Sequence, residues 1–251
     1  MLYHVLSLVL ICSMQITEQD VNDVIAAYRT QTVETLRQRM PPPAGPQTFI
    51  ESVLRNLPAD VLKQKVNDTR LTDKLRIILK PVFELYGRNY ELVIVKNKAP
   101  LMMSDSGVVL VITTGMIEQA TSDDELIGYA AHEIGHEYFV FYSVESRHLM
   151  QTISEQGNEI ALRRRLAEIL ALIELQCDAF AAISLARLNR NPIDSLKGLE
   201  RAESAYSNYS WANHPPVAMR RKVIEGVAPQ ALQIPSTESE TLRQLKAALQ
   251  K

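Results

Sequence analysis

A mainly helical chain with one small β-sheet in its middle, fold class α+β, mainly α, is what three features of the sequence predict. Apolar residues recur at helical spacing through most of its length. Two β-branched runs, Tyr90–Val95 and Val108–Thr114, break that pattern. The longest helical patterns, Asp124 to Tyr142 and Ile160 to Leu188, follow those runs, so the sheet is expected beside the first of them.

Composition sets the outer bounds. With 251 residues, 46% of them apolar and 22% charged, the chain suits one globular domain with a real core, or one domain and a short appendage. The net charge of −2 carries no basic stripe, so no nucleic-acid partner is expected. Two cysteines, Cys12 and Cys177, make no disulfide framework, and Cys177 stands in an apolar helix where buried packing is its expected role. No uninterrupted run of 18 apolar residues occurs, which predicts no complete membrane span.

The elements follow in order. Residues 1–16 are apolar over a length that suits a signal peptide or an N-terminal anchor. Export is therefore expected, to the periplasm or cell envelope, with membrane association through this segment; the competing reading is an N-terminal core helix in a cytoplasmic protein. Residues 17–89 form a helical region. Glu18–Arg39 reads as one amphipathic helix, and Met40–Pro46, with four prolines, ends it. Further helices are expected over Phe49–Val66 and from an N-cap at Thr72 to Tyr86, with Gly87 as its stop. After the strand Tyr90–Val95 comes a short apolar piece, Leu101-Met102-Met103, then a turn at Ser104–Gly107 and the strand Val108–Thr114. Met116–Gln119 starts a short helix. Ser122 or Asp123 can cap the helix after it, which has acids in its first turn. Residues 229–251 read as a helical tail.

The helix beginning at Asp124 carries the chemistry. It contains His132-Glu133-Ile134-Gly135-His136. Histidines at i and i+4 lie one turn apart on one face, from which both rings reach a single zinc ion. Glu133, beside the first, is placed to take a proton from water at the metal rather than to bind the metal. In the long apolar helix that follows, Glu174 and Asp178 stand four apart on one face. Two buried acids are costly there unless something positive faces them.

Zinc sites that do chemistry use three protein ligands and keep one position open. A third histidine six residues past His136 would be one solution, but that position holds Tyr142. A glutamate from a following helix is another, and Glu174 fits that role. Asp178, one turn on, can accept a hydrogen bond from a ligand histidine and fix its tautomer.

The ordered set His132-Glu133-x-x-His136, Glu174-x-x-x-Asp178 and His214-Pro215-Pro216 with Arg220 resembles the gluzincin metallopeptidases. More narrowly, it is similar to the family of HtpX and the CAAX prenyl endopeptidases, in a compact form without their transmembrane helices. Thr113-Thr114-Gly115-Met116-Ile117 resembles that family's lead-in to the zinc helix, and the likeness runs from about Leu92 to Ile224. It implies a zincin-like metallopeptidase domain over 90–228 and one Zn²⁺ per chain on His132, His136 and Glu174. The catalytic residues it implies are Glu133 as general base and His214 as support for the oxyanion. Asp178 would stand behind the zinc ligands, Arg220 would brace the site, and the edge Leu101, Met102 and Met103 would align a protein or peptide substrate. One departure is Ala99-Pro100-Leu101-Met102, where the family has an Asn-Ala pair. The implied activity is that of a zinc metalloendopeptidase in envelope protein quality control. The alternative is a catalytically latent, chaperone-like zinc-binding or interaction module.

Overall fold

The computed structural model describes residues 16–38, 47–56, 63–105, 107–139, 148–149, 151–152, 160–205 and 214–250. The expected signal or anchor segment up to residue 15, the proline-rich stretch from Pro41 to Pro46 and the end of the histidine helix past Phe139 lie outside the described residues.

Among the described residues, four helices precede the sheet: α1 Glu18–Tyr28, α2 Val33–Arg37, α3 Gln47–Asn56 and α4 Thr69–Tyr86. Three of their bounds depart from the sequence expectation. Glu18–Arg39 is two helices, because Thr32 begins a new one with its own capping box, its side chain accepting from the Thr35 N–H. The pattern Phe49–Val66 does not run to its end as one described helix: α3 closes at Asn56. Lys65 is extended instead and bridges Val95 at the sheet edge. Asp68, not Thr72, caps α4 by accepting from the Arg70 N–H, while the Thr72 hydroxyl donates to the Thr69 carbonyl. Gly87 ends α4 in the left-handed conformation, as its position predicts.

The sheet comprises β1 Glu91–Val95, β2 Met102–Asp105 and β3 Val109–Thr113, in the order β1-β3-β2. β3 is central, parallel to β1 and antiparallel to β2, and all five of its residues are buried. That burial on both faces accounts for its unbroken run of β-branched and aliphatic residues. β2 begins one residue after Leu101 and runs through Ser104 and Asp105, which the sequence suggested as a turn. Pairing with Leu110 and Val109 makes them strand despite their polarity.

The second half is helical: α5 Thr114–Gln119, α6 Asp123–Phe139, α7 Ile160–Arg187, a 3₁₀ turn Pro192–Leu196, α8 Lys197–Ala205, α9 Val217–Val227, a 3₁₀ turn Pro229–Ala231 and α10 Glu240–Leu249. Ser122 caps α6, accepting from the Glu125 N–H. α7 is long and apolar enough to cross a membrane by length and composition, although no 18-residue run in it is uninterrupted. Two-thirds (67%) of its most apolar window is buried inside the protein. Leu175, Ala179, Phe180 and Ala182 are wholly inaccessible, and the Phe180 ring stacks on Tyr86 at 4.6 Å.

One apolar core runs from Val21 of α1 to Leu245 of α10. α1 lies on α9 and α7, and α10 lies on α4 with Leu242 and Leu245 buried, so the helical tail belongs to the core. A smaller cluster on the other sheet face joins Val93, Val95, Val109 and Val111 to Ile50 and Leu54 of α3.

Candidate metal centre

α6 and α7 form the most extensive helix pair among the described residues. Gly135 sets how closely they approach, since a Cβ there would already touch Cys177 at 3.2–3.3 Å. This contact faces the histidine turn of α6 toward Glu174, Cys177 and Asp178 on α7. The His132 and His136 rings lie 4.8 Å apart, nearly perpendicular.

Glu174 stands at the centre. Its Oε2 is 3.2 Å from His132 Nε2, and its Oε1 is 3.4 Å from His136 Nε2 and 3.6 Å from His214 Nε2. Burial works to raise its pKa, but the fields of His214, His136 and His132 hold the carboxyl well below the usual range. Behind His132, Nδ1 lies 3.0 Å from Asp178 Oδ1. Arg220, only 3% exposed, grips the same aspartate with two hydrogen bonds of 2.7 Å, Nε to Oδ2 and Nη2 to Oδ1. Burial alone would raise Asp178; the guanidinium overrides it and keeps the carboxylate ionised. Burial also opposes charge on His132, yet the Asp178 and Glu174 carboxylates on either side of it push the ring up to about 9. For His136 and His214 burial is the largest influence, and it pulls both down.

His132, His136 and Cys177 form a group that could hold a metal ion, their ligand atoms all lying within 4.8 Å of one another. Cys177 is fully buried as expected, and burial with three nearby carboxylates raises its thiol well above the ordinary value. Its place beside the histidines exceeds the packing role read from sequence.

Glu133 projects from the opposite flank of the same turn toward β2. The Ser104 N–H donates to Glu133 Oε2 at 2.9 Å, and the Ser104 hydroxyl donates to the Glu133 carbonyl at 3.1 Å. Burial, the largest influence, raises the Glu133 pKa against the two histidines. Thus the structure brings together His132, Glu133, His136, Glu174, Asp178, His214 and Arg220. It differs at the sheet edge: Leu101 lies just outside β2, its carbonyl accepting from the Thr113 N–H, and Met102 turns into the core, 9% exposed. Met103 is half-buried and joins the smaller valine cluster.

Two features escaped the sequence reading. Ser104 looked like a turn residue. Glu137, next to His136, anchors the far side of α6: Tyr90 donates to it and Arg88 lies 3.3 Å away, both buried, while burial lifts its carboxyl to about 7. The signal for this cluster was an acid at a position otherwise predicted to be core. No family model matches the chain, and no curated protein is detectably similar to it.

Proposed function

We propose that the protein is a zinc metalloendopeptidase of the gluzincin kind, with a zincin-like domain built around α6 and α7. The observation that carries this reading is the position of Glu174. Its Oε2 is buried with no hydrogen-bond partner, yet it sits 3.2 Å from His132 Nε2. With Nδ1 donating to ionised Asp178, Nε2 turns a lone pair toward that oxygen, and two lone pairs at that distance require a proton or a cation between them. Ligands at about 2.0–2.1 Å in a tetrahedron stand about 3.3 Å apart. Glu174 meets the two histidines with different oxygens, Oε2 at 3.2 Å from His132 Nε2 and Oε1 at 3.4 Å from His136 Nε2, so each oxygen stands at about that spacing from one ring. Two imidazoles and a carboxylate suit zinc by donor type.

Zinc held by His132, His136 and Glu174 would supply a Lewis acid for the scissile carbonyl and acidify a water. The chain's own groups would do the rest. Glu133, its pKa raised by burial, takes the proton of the attacking water and returns it to the leaving amine. His214 donates a hydrogen bond to the developing oxyanion. Arg220, through Asp178, fixes the His132 tautomer. The outward edge of β2 offers main-chain groups to an extended substrate, with Met102 rather than Leu101 at its start.

A second reading, a metal-holding module without turnover, draws on Cys177. A fourth protein donor would close the coordination shell and leave no open position. Metal content and casein hydrolysis, measured on one preparation each of wild type and Glu133→Gln, separate the readings. The peptidase reading expects about one zinc per chain in both and hydrolysis in the wild type alone. Zinc in both without hydrolysis favours the module, and no metal in either removes both.

A further inference from the structure

The contact between Ser104 and Glu133 is stranger than an ordinary strand-to-helix bond. In an antiparallel pair, facing residues alternate between exchanging hydrogen bonds and exchanging none. Thr113 donates to the Leu101 carbonyl, and the Leu101 N–H returns to the Thr113 side chain. In that register Met103 and Asp105 turn their main-chain groups toward β3, while Met102 and Ser104 turn theirs away from it. The outward N–H of Ser104 is then spent on a single acceptor, Glu133 Oε2. The Ser104 hydroxyl adds a second tie to the main chain of the same residue. Among the described residues, Glu133 Oε1 accepts no hydrogen bond, and the side chain is only partly buried.

We propose that Ser104 is the positioning residue for the general base: its main-chain N–H holds Glu133 Oε2 and leaves Oε1 to receive the proton. The inference rests on the peptidase reading and extends it to a residue outside every motif. It has a consequence for substrate. One of the two outward rungs of β2 is taken by the base, so an extended peptide lying on this edge finds the Met102 rung and meets the base at the next one. The register of the peptide against the base is thereby set by the chain itself.

The test uses the full-length, zinc-loaded protein and a quenched-fluorescent peptide copied from a casein site that the wild type cuts. Ser104→Pro removes the N–H without removing a rung of the β2–β3 ladder. Its kcat should fall about ten- to a hundredfold with KM within about threefold and zinc content unchanged. Ser104→Thr, which retains both donors, should recover most of that loss, whereas a merely structural role would move thermal stability and KM instead. Should the proline variant not fold, the α-hydroxy analogue of serine at position 104, which deletes only the N–H, takes its place. A readout independent of turnover is the Ser104 amide proton resonance. It should move upfield in Glu133→Ala, while the Met103 and Asp105 amides stay in place.

A shifted Ser104 amide together with the kcat loss supports the proposal. An unmoved amide, or a proline or ester variant with kcat within twofold of wild type, overturns it and leaves the peptidase reading standing. A zinc-loaded wild type that cuts no casein overturns the peptidase reading and, with it, any catalytic role for Ser104.

Discussion

Replacing Arg220 by methionine removes a charge and leaves most of the volume. Arg220 is 3% exposed and Asp178 equally so, and the two share paired 2.7 Å hydrogen bonds. Removing one member of a buried pair strands the other, at about 3–5 kcal/mol. The guanidinium is also what keeps Asp178 ionised, so the variant should protonate Asp178 and weaken its hold on His132 Nδ1. Loss of such a partner behind a metal ligand costs about ten- to a hundredfold in metal affinity. Urea unfolding of the chelator-treated protein at pH 7 reads the first figure, and competition with a chromophoric chelator reads the second. Arg220→Met with Asp178→Asn should cost less than the two single changes added together, by about 2 kcal/mol or more, because the double change leaves no stranded charge. A loss below about 1 kcal/mol for Arg220→Met, or strict additivity, would refute the reasoning.

Two further outcomes are expected. Without metal, His132 titrates at about 9 in the folded protein against an ordinary 6.5, so its contribution to stability is full below pH 6.5 and disappears as pH rises through 9. At about 1.4 kcal/mol per unit, metal-free protein should lose about 3 kcal/mol across that window, read as the urea midpoint against pH. Glu174, depressed by the histidines, gives the opposite limb, with stability falling as pH drops below the ordinary carboxyl value. A flat profile from pH 6 to 9.5 would mean that His132 is not coupled to Asp178 and Glu174 as described. At Gly115, a Cβ would lie 2.2 Å from the Lys98 carbonyl oxygen. Gly115→Ala should therefore destabilise by about 1–3 kcal/mol at unchanged m-value, checked by the same unfolding assay.

The parts of the fold that were legible from sequence are those whose cause is local. Gly87 stops α4 because of its own backbone freedom, and β3 reads as a strand because five buried β-branched and aliphatic residues leave no alternative. The histidine pair and Glu174 with Asp178 were legible because helical spacing alone puts each pair on one face. What failed depended on partners far along the chain. Ser104 and Asp105 are polar and precede a glycine, and only pairing with β3 and the bond to Glu133 makes them a strand edge. Val66 completes a helical pattern, yet its N–H is bonded to the Ile94 carbonyl. The acids opening α6 were read as partners of the helix dipole. They are buried, and each has a distant mate: Asp123 receives the Ser239 N–H, Asp124 holds Arg190, and Glu125 holds Arg201.

Those three acids also fix an order of events. The helix that bears both histidines is tied at its first turn to residues 66 to 116 positions further along the chain. On a ribosome, α6 emerges before the distant partners of its acids, and with Glu174, His214 and Arg220 still to be made. Its anchorage closes only once Ser239 has been added, long after the histidines themselves. A protein that cuts polypeptides on such a site would be inert until those later groups have been added.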